Sequence, residues 1–239
     1  MPKLFSPLSE SVLDGTPTTL RPRCGFVIQQ LGGTPPPDTI IRATLQDVFG
    51  RFGFTLSDAN FDTGAKDYLA RILDLIRSTG FAVVIYSDET RRDSLGNIFL
   101  EAGYAAMLGK HLVIAKWKGA NGPSDFKRTD WIEYDPENPV SFEDKIGQIS
   151  RSLNDYVGFE ATHLDVILQA HRPDCGVAFE RIRKGFLLSG EPGFLDAAEK
   201  LLPLIDGDTG NHLPVSDLSG LADEIKMFVR LARRVLPLR

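Results

Sequence analysis

Asn97 and Glu101 stand four residues apart in the run Asn97-Ile98-Phe99-Leu100-Glu101-Ala102-Gly103-Tyr104-Ala105. On a helix this spacing puts both side chains on one stripe, with Ala105 a turn further along. A carboxylate flanked by a polar amide and a small alanine is open to a ligand. Upstream, Ser87, Asp88 and Asp93 follow a strongly apolar stretch. These polar residues fall at a strand end, where an open α/β sheet places its ligand crevice. Gln29-Gln30 with Gly32-Gly33, and Asp58 with Asn60 and Asp62, follow two further apolar stretches in the same way. Leu100, Gly103, Tyr104 and Met107 run i, i+3, i+4, i+7 and are expected to form the helix's packed face. Glu101 is expected about one turn into a helix that begins near Asn97, where the helix end favours its charged form and burial opposes it.

The elements that must position these groups alternate. Gly25-Phe26-Val27-Ile28 is a short buried strand, broken by Gly32-Gly33 and Pro35-Pro36-Pro37. Ile41, Leu45, Val48, Phe49 and Phe52 recur at helical spacing, with a stop at Gly53. A weaker strand spans Phe54 to Leu56, and a second helix carries Leu69, Ile72, Leu73 and Ile76 to a stop at Gly80. Phe81 to Tyr86 is apolar on both faces, as the centre of a covered parallel sheet requires. After the Glu101 helix come a strand over 111–115 and an edge strand over 131–134. Strands alternating with helices predict an α/β fold with a mostly parallel sheet. In such sheets ligands bind beyond the carboxyl ends of the strands, where Gln29, Gly32, Gly33, Asp58 and Ser87 fall.

From about Ser141 the pattern is helical only, with helices over 146–156, 164–170, 177–188, 195–205 and 221–235. Residues 1–22, rich in Ser, Thr and Pro, are expected to form a flexible leader. The expected division is a leader at 1–22, an α/β domain at 23–140 and a helical domain at 141–239. The last of these has no paired acids or glycine-rich loop. Its stripe of Leu221, Ile225, Phe228, Ala232 and Val235 suggests a regulatory or assembly role, as a homo-oligomer or with a partner subunit.

The 239 residues are 42% hydrophobic and 25% charged, enough apolar residue for a core without staples. A net charge of −5 argues against nucleic acid as a partner. The two cysteines, Cys24 and Cys175, exclude a disulfide framework and favour a reducing, cytoplasmic location. No long apolar run calls for a membrane, and the four histidines show no metal-ligand spacing, so no metal is expected. Ser87 has no histidine at a suggestive spacing, which argues against a hydrolase triad. Gly32-Gly33 lacks the lysine of a phosphate-binding P-loop.

The signature Asn97-x-x-x-Glu101-x-Gly103-Tyr104-Ala105, followed by Leu108-Gly109-Lys110 and the strand Leu112-Val113-Ile114, resembles that of nucleoside 2-deoxyribosyltransferase-like proteins and of the related TIR-like nucleotide-binding domains. The order of the other parts agrees over residues 24–135, with Ser124-Asp125-Phe126 to Tyr134 as the closing segment. Ser87-Asp88-Glu89 is more similar to the TIR-like branch. The resemblance implies a flavodoxin- or TIR-like sheet and a catalytic Glu101 that attacks or stabilises the ribose C1. It also implies roles for Asp88 and Asp93 toward the sugar or leaving base. Gln29, Ser87 and Asn97 are expected to line the same crevice by their positions, although Gln29-Gln30 departs from the residues usual in such relatives. By the same resemblance the chain would be an N-glycosidase, an NADase-type hydrolase, and could serve as an antiviral defence effector in bacteria. Nicotinamide leaves NAD as a cationic pyridinium and needs little acid help, whereas a neutral purine demands a second, protonated carboxyl. NAD or a related dinucleotide is therefore the expected substrate, with no separate cofactor. A non-catalytic nucleotide sensor and a deoxyribosyltransferase are the competing readings.

Overall fold

The computed structural model describes residues 4–6, 11–13, 17–59, 68–122, 131–170, 174–206 and 215–236. Asn60, Asp62 and the segment Ser124-Asp125-Phe126 lie outside the described residues. Two short strands, β1 (Leu4–Ser6) and β2 (Ser11–Leu13), pair antiparallel with Leu4 opposite Leu13. Five further strands form one parallel sheet: β3 (Arg21–Ile28), β4 (Thr55–Ser57), β5 (Thr79–Tyr86), β6 (His111–Trp117) and β7 (Trp131–Tyr134). Their order is β4-β3-β5-β6-β7, so the direction of strand addition reverses between β3 and β5. The register is fixed by pairs such as Cys24 with Thr55, Tyr86 with Lys116 and Lys116 with Glu133.

The chain divides into two compact units, Arg23–Leu153 and Met1–Pro22 together with Asn154–Arg239. The first 22 residues, expected to be a leader, thus group with the C-terminal helices. In the sheet unit, α1 (Pro36–Arg51) packs on one face of the sheet. There Phe49 lies 5.1 Å from the Phe81 ring of β5, and Phe54 meets both rings edge-on. Gly25 is needed beneath this cluster, since a Cβ there would come within 2.4 Å of the Phe81 ring. The other face carries α2 (Tyr68–Ser78) and α3 (Arg92–Met107), which bury Ile72, Ile76, Ile98, Ala102 and Ala105 against Phe26, Ile28, Ala82, Val84 and Tyr86. Every residue of β5 is buried, as its apolar run predicts.

Two details of α3 differ from expectation. The helix begins at Arg92, not near Asn97, because Asp93 and Ser94 are good first-turn residues rather than loop. Its packed face is Ile98, Ala102 and Ala105, while Leu100 and Met107 are 53% and 69% exposed. The alanines let α3 approach the sheet closely, and that contact fixes the phase of the helix over the pull of the larger apolar side chains.

In the helical region, α4 (Pro139–Leu168) is one helix of 30 residues where two shorter ones were expected. It is followed by α5 (Cys175–Ser189), α6 (Gly193–Asp206) and α7 (Val215–Val235). Asp174 caps α5 by accepting from the Val177 N–H at 3.0 Å, and Gly190 ends it at φ 73°. Phe228 of α7 meets Phe179 and Phe186 edge-on at 5.5 Å each, and Ile225 and Ala232 are buried with it. The apolar stripe of α7 is therefore largely consumed inside its own unit. Glu160 of α4, fully buried, pairs with Arg181 of α5 at 3.1 Å. Among the described residues no helix is long and apolar enough to cross a membrane.

Candidate functional site

Helix α3 leaves the carboxyl end of β5 through the turn Ser87–Thr90, closed by a Thr90 N–H to Ser87 carbonyl bond of 3.3 Å. The Ser87 N–H in turn donates to Thr90 Oγ1 at 2.9 Å. From its start at Arg92, α3 runs back along the sheet, so Glu101 lies nine residues, about 13 Å, along the helix. The favourable helix-end potential is spent within the first turn, so it does not support the Glu101 charge. Glu101 is half-buried beside Ile98, Ala102 and Ala105, and no cation or hydrogen-bond donor reaches it among the described residues. Burial alone pushes its carboxyl up to about 7. An unpaired carboxyl in that state shifts between acid and base near neutral pH, and such groups concentrate at functional sites.

Asn97 shares the Glu101 stripe but is exposed, as are Asp88 and Asp93. Asp93 stands eight residues before Glu101, about 12 Å along the helix axis. That exceeds the separation at which two carboxyls share one glycosidic bond, about 5–9.5 Å.

The remaining candidates gather at the β3–β5 junction. Gly25, Val27 and Gln29 alternate onto the sheet face that carries α1, as do Phe81, Val83, Ile85 and Ser87. Gln29 and Ser87 therefore lie on the opposite face from α3 and Glu101. On the Ser87 side stands Asp38, in the first turn of α1 and fully buried. Its Oδ2 accepts from Thr90 Oγ1 at 3.0 Å, and Ser87 also hydrogen-bonds it. Burial raises the Asp38 pKa, the two hydroxyls oppose that, and the charges of Glu89 and Asp88 add to it. Asp38 Oδ1 and Gln29 Oε1 are buried with no hydrogen-bond partner. Asp38 and Thr90 were not among the residues expected to be functional. The signal was present, since an acid just after Pro35-Pro36-Pro37 marks a helix start.

Gln30, by the same alternation, turns to the α3 face. Its amide accepts from the Arg91 N–H at 2.9 Å and donates to the Gly33 carbonyl at 2.6 Å. The Arg91 guanidinium holds the Leu31 and Gly32 carbonyls at 3.3 Å each. Gly32 and Gly33 take φ of 69° and 66°, which suits glycine alone, and both are exposed. Asp58 is buried at the end of β4 and ion-paired with Arg42 of α1, so its charge is already matched. The structure thus sets Gln29 and Ser87 on one face of the sheet, ties Gly32 and Gly33 to the start of α3, and leaves Glu101 on the other face. Among the described residues no cluster of three or more His, Cys, Asp or Glu side chains could hold a metal ion. No family model, curated protein or solved structure matches the chain.

Proposed function

We propose that the protein is an N-glycosidase that cleaves the ribose C1–base bond of NAD or a related nucleotide, with Glu101 as the acting carboxylate. The observation that carries this reading is the isolation of Glu101, a half-buried carboxyl with no charged partner and a pKa near 7. A structural carboxylate at such a position would be expected to find a cation, because an unpaired buried charge is costly. Burial strengthens its attraction for an oxocarbenium ion, and ionised Glu101 either stabilises that ion or bonds to C1 as the C1–N bond breaks. Water, or a second base, then takes the sugar at C1. The wide spacing from Asp93 leaves no second carboxyl on α3 to protonate a poor leaving group. This favours a base that departs from a cationic ring, as nicotinamide does.

The strand order reverses at β3–β5, where open α/β sheets hold nucleotides, and Glu101 lies about 13 Å along α3 from that end, so the sheet favours nucleotide binding without putting it at Glu101. A cytoplasmic location and assembly through surfaces of the helical unit belong to the same proposal. The test is base release followed by chromatography, with NAD, nicotinamide riboside and deoxynucleosides each incubated with the full chain. Nicotinamide release that depends on Glu101 supports the proposal. No release from any of them, with ligand-dependent thermal stabilisation, makes the protein a nucleotide sensor instead.

A further inference from the structure

The Asp38 constellation on the α1 face is not used by the glycosidase chemistry. Asp38 is 0% and Gln29 6% exposed, and both Asp38 Oδ1 and Gln29 Oε1 lack a hydrogen-bond partner. Both are acceptors: Gln29 directly follows β3, the neighbour of β5, while Asp38, in the first turn of α1, lies against the hydroxyls of Thr90 and Ser87 that follow β5. Buried acidic groups are normally paired or bound to a cation, yet Asp38 has no positive partner among the described residues. The nearby cations are committed elsewhere: Arg42 pairs with Asp58, and Arg91 holds the Leu31 and Gly32 carbonyls. The start of α1 offers little relief, because Pro36 and Pro37 have no N–H to give. Asp88 and Glu89, exposed in the adjoining turn, add further negative potential.

We propose that this pocket is a monovalent-cation site, holding sodium or potassium between Asp38 Oδ1 and Gln29 Oε1 with the Ser87 and Thr90 hydroxyls around it. The donor set is oxygen only, which suits a hard cation. One carboxylate among neutral oxygens balances a single positive charge, whereas divalent sites draw on several carboxylates. Full burial limits the guest to atomic size. An ion there would pin the start of α1 to the ends of β3 and β5, at the reversal point of the sheet. The inference stands independently of the glycosidase reading.

The experiment is thermal melting of the full chain in sodium, potassium and choline chloride at equal ionic strength and pH. The expected result is a saturable rise in Tm of several degrees with sodium or potassium over choline. Asp38→Asn should abolish that difference, and Gln29→Met should raise the salt midpoint at least tenfold. Glu101→Gln should leave it intact. A crystal soaked in thallium(I) should show an anomalous peak between Asp38 and Gln29. Equal melting in all three salts overturns the proposal, and so does an unchanged salt response in Asp38→Asn. Density for a water alone, or stabilisation in choline that grows only as pH falls, assigns the pocket to a water or to a protonated Asp38 and overturns it too.

Discussion

The backbone N–H of Arg91, the residue that caps α3, donates to the side-chain oxygen of Gln30 at 2.9 Å, while the other end of that amide holds the Gly33 carbonyl at 2.6 Å. One buried side chain thus ties the exit of β3, the Gly32-Gly33 turn and the start of α3. Gln30→Leu keeps the volume but leaves a donor and an acceptor unpaired. The expected loss is about 1–3 kcal/mol in urea unfolding, and Gln30→Glu, which retains the acceptor, should lose less.

Glu101→Gln should lower base release from NAD by at least about a hundredfold with the circular dichroism spectrum unchanged. The amide keeps shape and polarity but cannot stabilise the oxocarbenium ion or bond to C1. Wild-type turnover in this variant would remove Glu101 from the chemistry.

The same carboxyl makes stability depend on pH. Its folded pKa, about 7, lies above the 4.5 of an ordinary glutamate. The folded state therefore binds more protons between those values, and stability contributed by Glu101 falls as pH rises from 4.5 to 7. The full change is roughly 3 kcal/mol, and Glu101→Gln should flatten that part of the profile. Activity should move the other way, kcat/KM rising with an apparent pKa near 7, because the ionised form acts. A profile that falls through 7 would assign Glu101 the role of acid.

Arg181→Ala strands the fully buried Glu160 carboxylate and should cost about 3–5 kcal/mol. The paired replacement Glu160→Leu with Arg181→Met should recover most of that loss. Equal losses in the two variants, measured by chemical unfolding, would mean that the pair contributes packing rather than charge compensation.

The sheet was legible because buried parallel strands are written as continuous apolar runs, and Phe81 to Tyr86 is such a run. The phase of α3 was not, since Leu100 and Met107 outweigh Ala102 and Ala105 in any count of hydrophobicity, yet only the sheet decides which stripe is covered. The length of α4 was hidden for a related reason. Leu153, Val157, Glu160 and Leu164 form one buried stripe, and its charged member makes sense only once Arg181 is in place. The candidate residues themselves were legible as polar groups at strand ends. Their division between two faces depends on strand alternation and on the residue at which each strand ends. For Asp38 a proline-marked helix start gave the place, while the hydroxyl of Thr90, 52 residues away, gives the pocket.

Strand β5 lies between β3 and β6 with all eight of its residues buried. Its backbone amides have neighbours on both edges and helices over both faces, so deuterium can reach them only when the sheet opens as a whole. Exchange at Val83 and Val84 should therefore report the global unfolding free energy of the sheet unit, while amides of the exposed Gly32-Gly33 turn exchange through small local fluctuations.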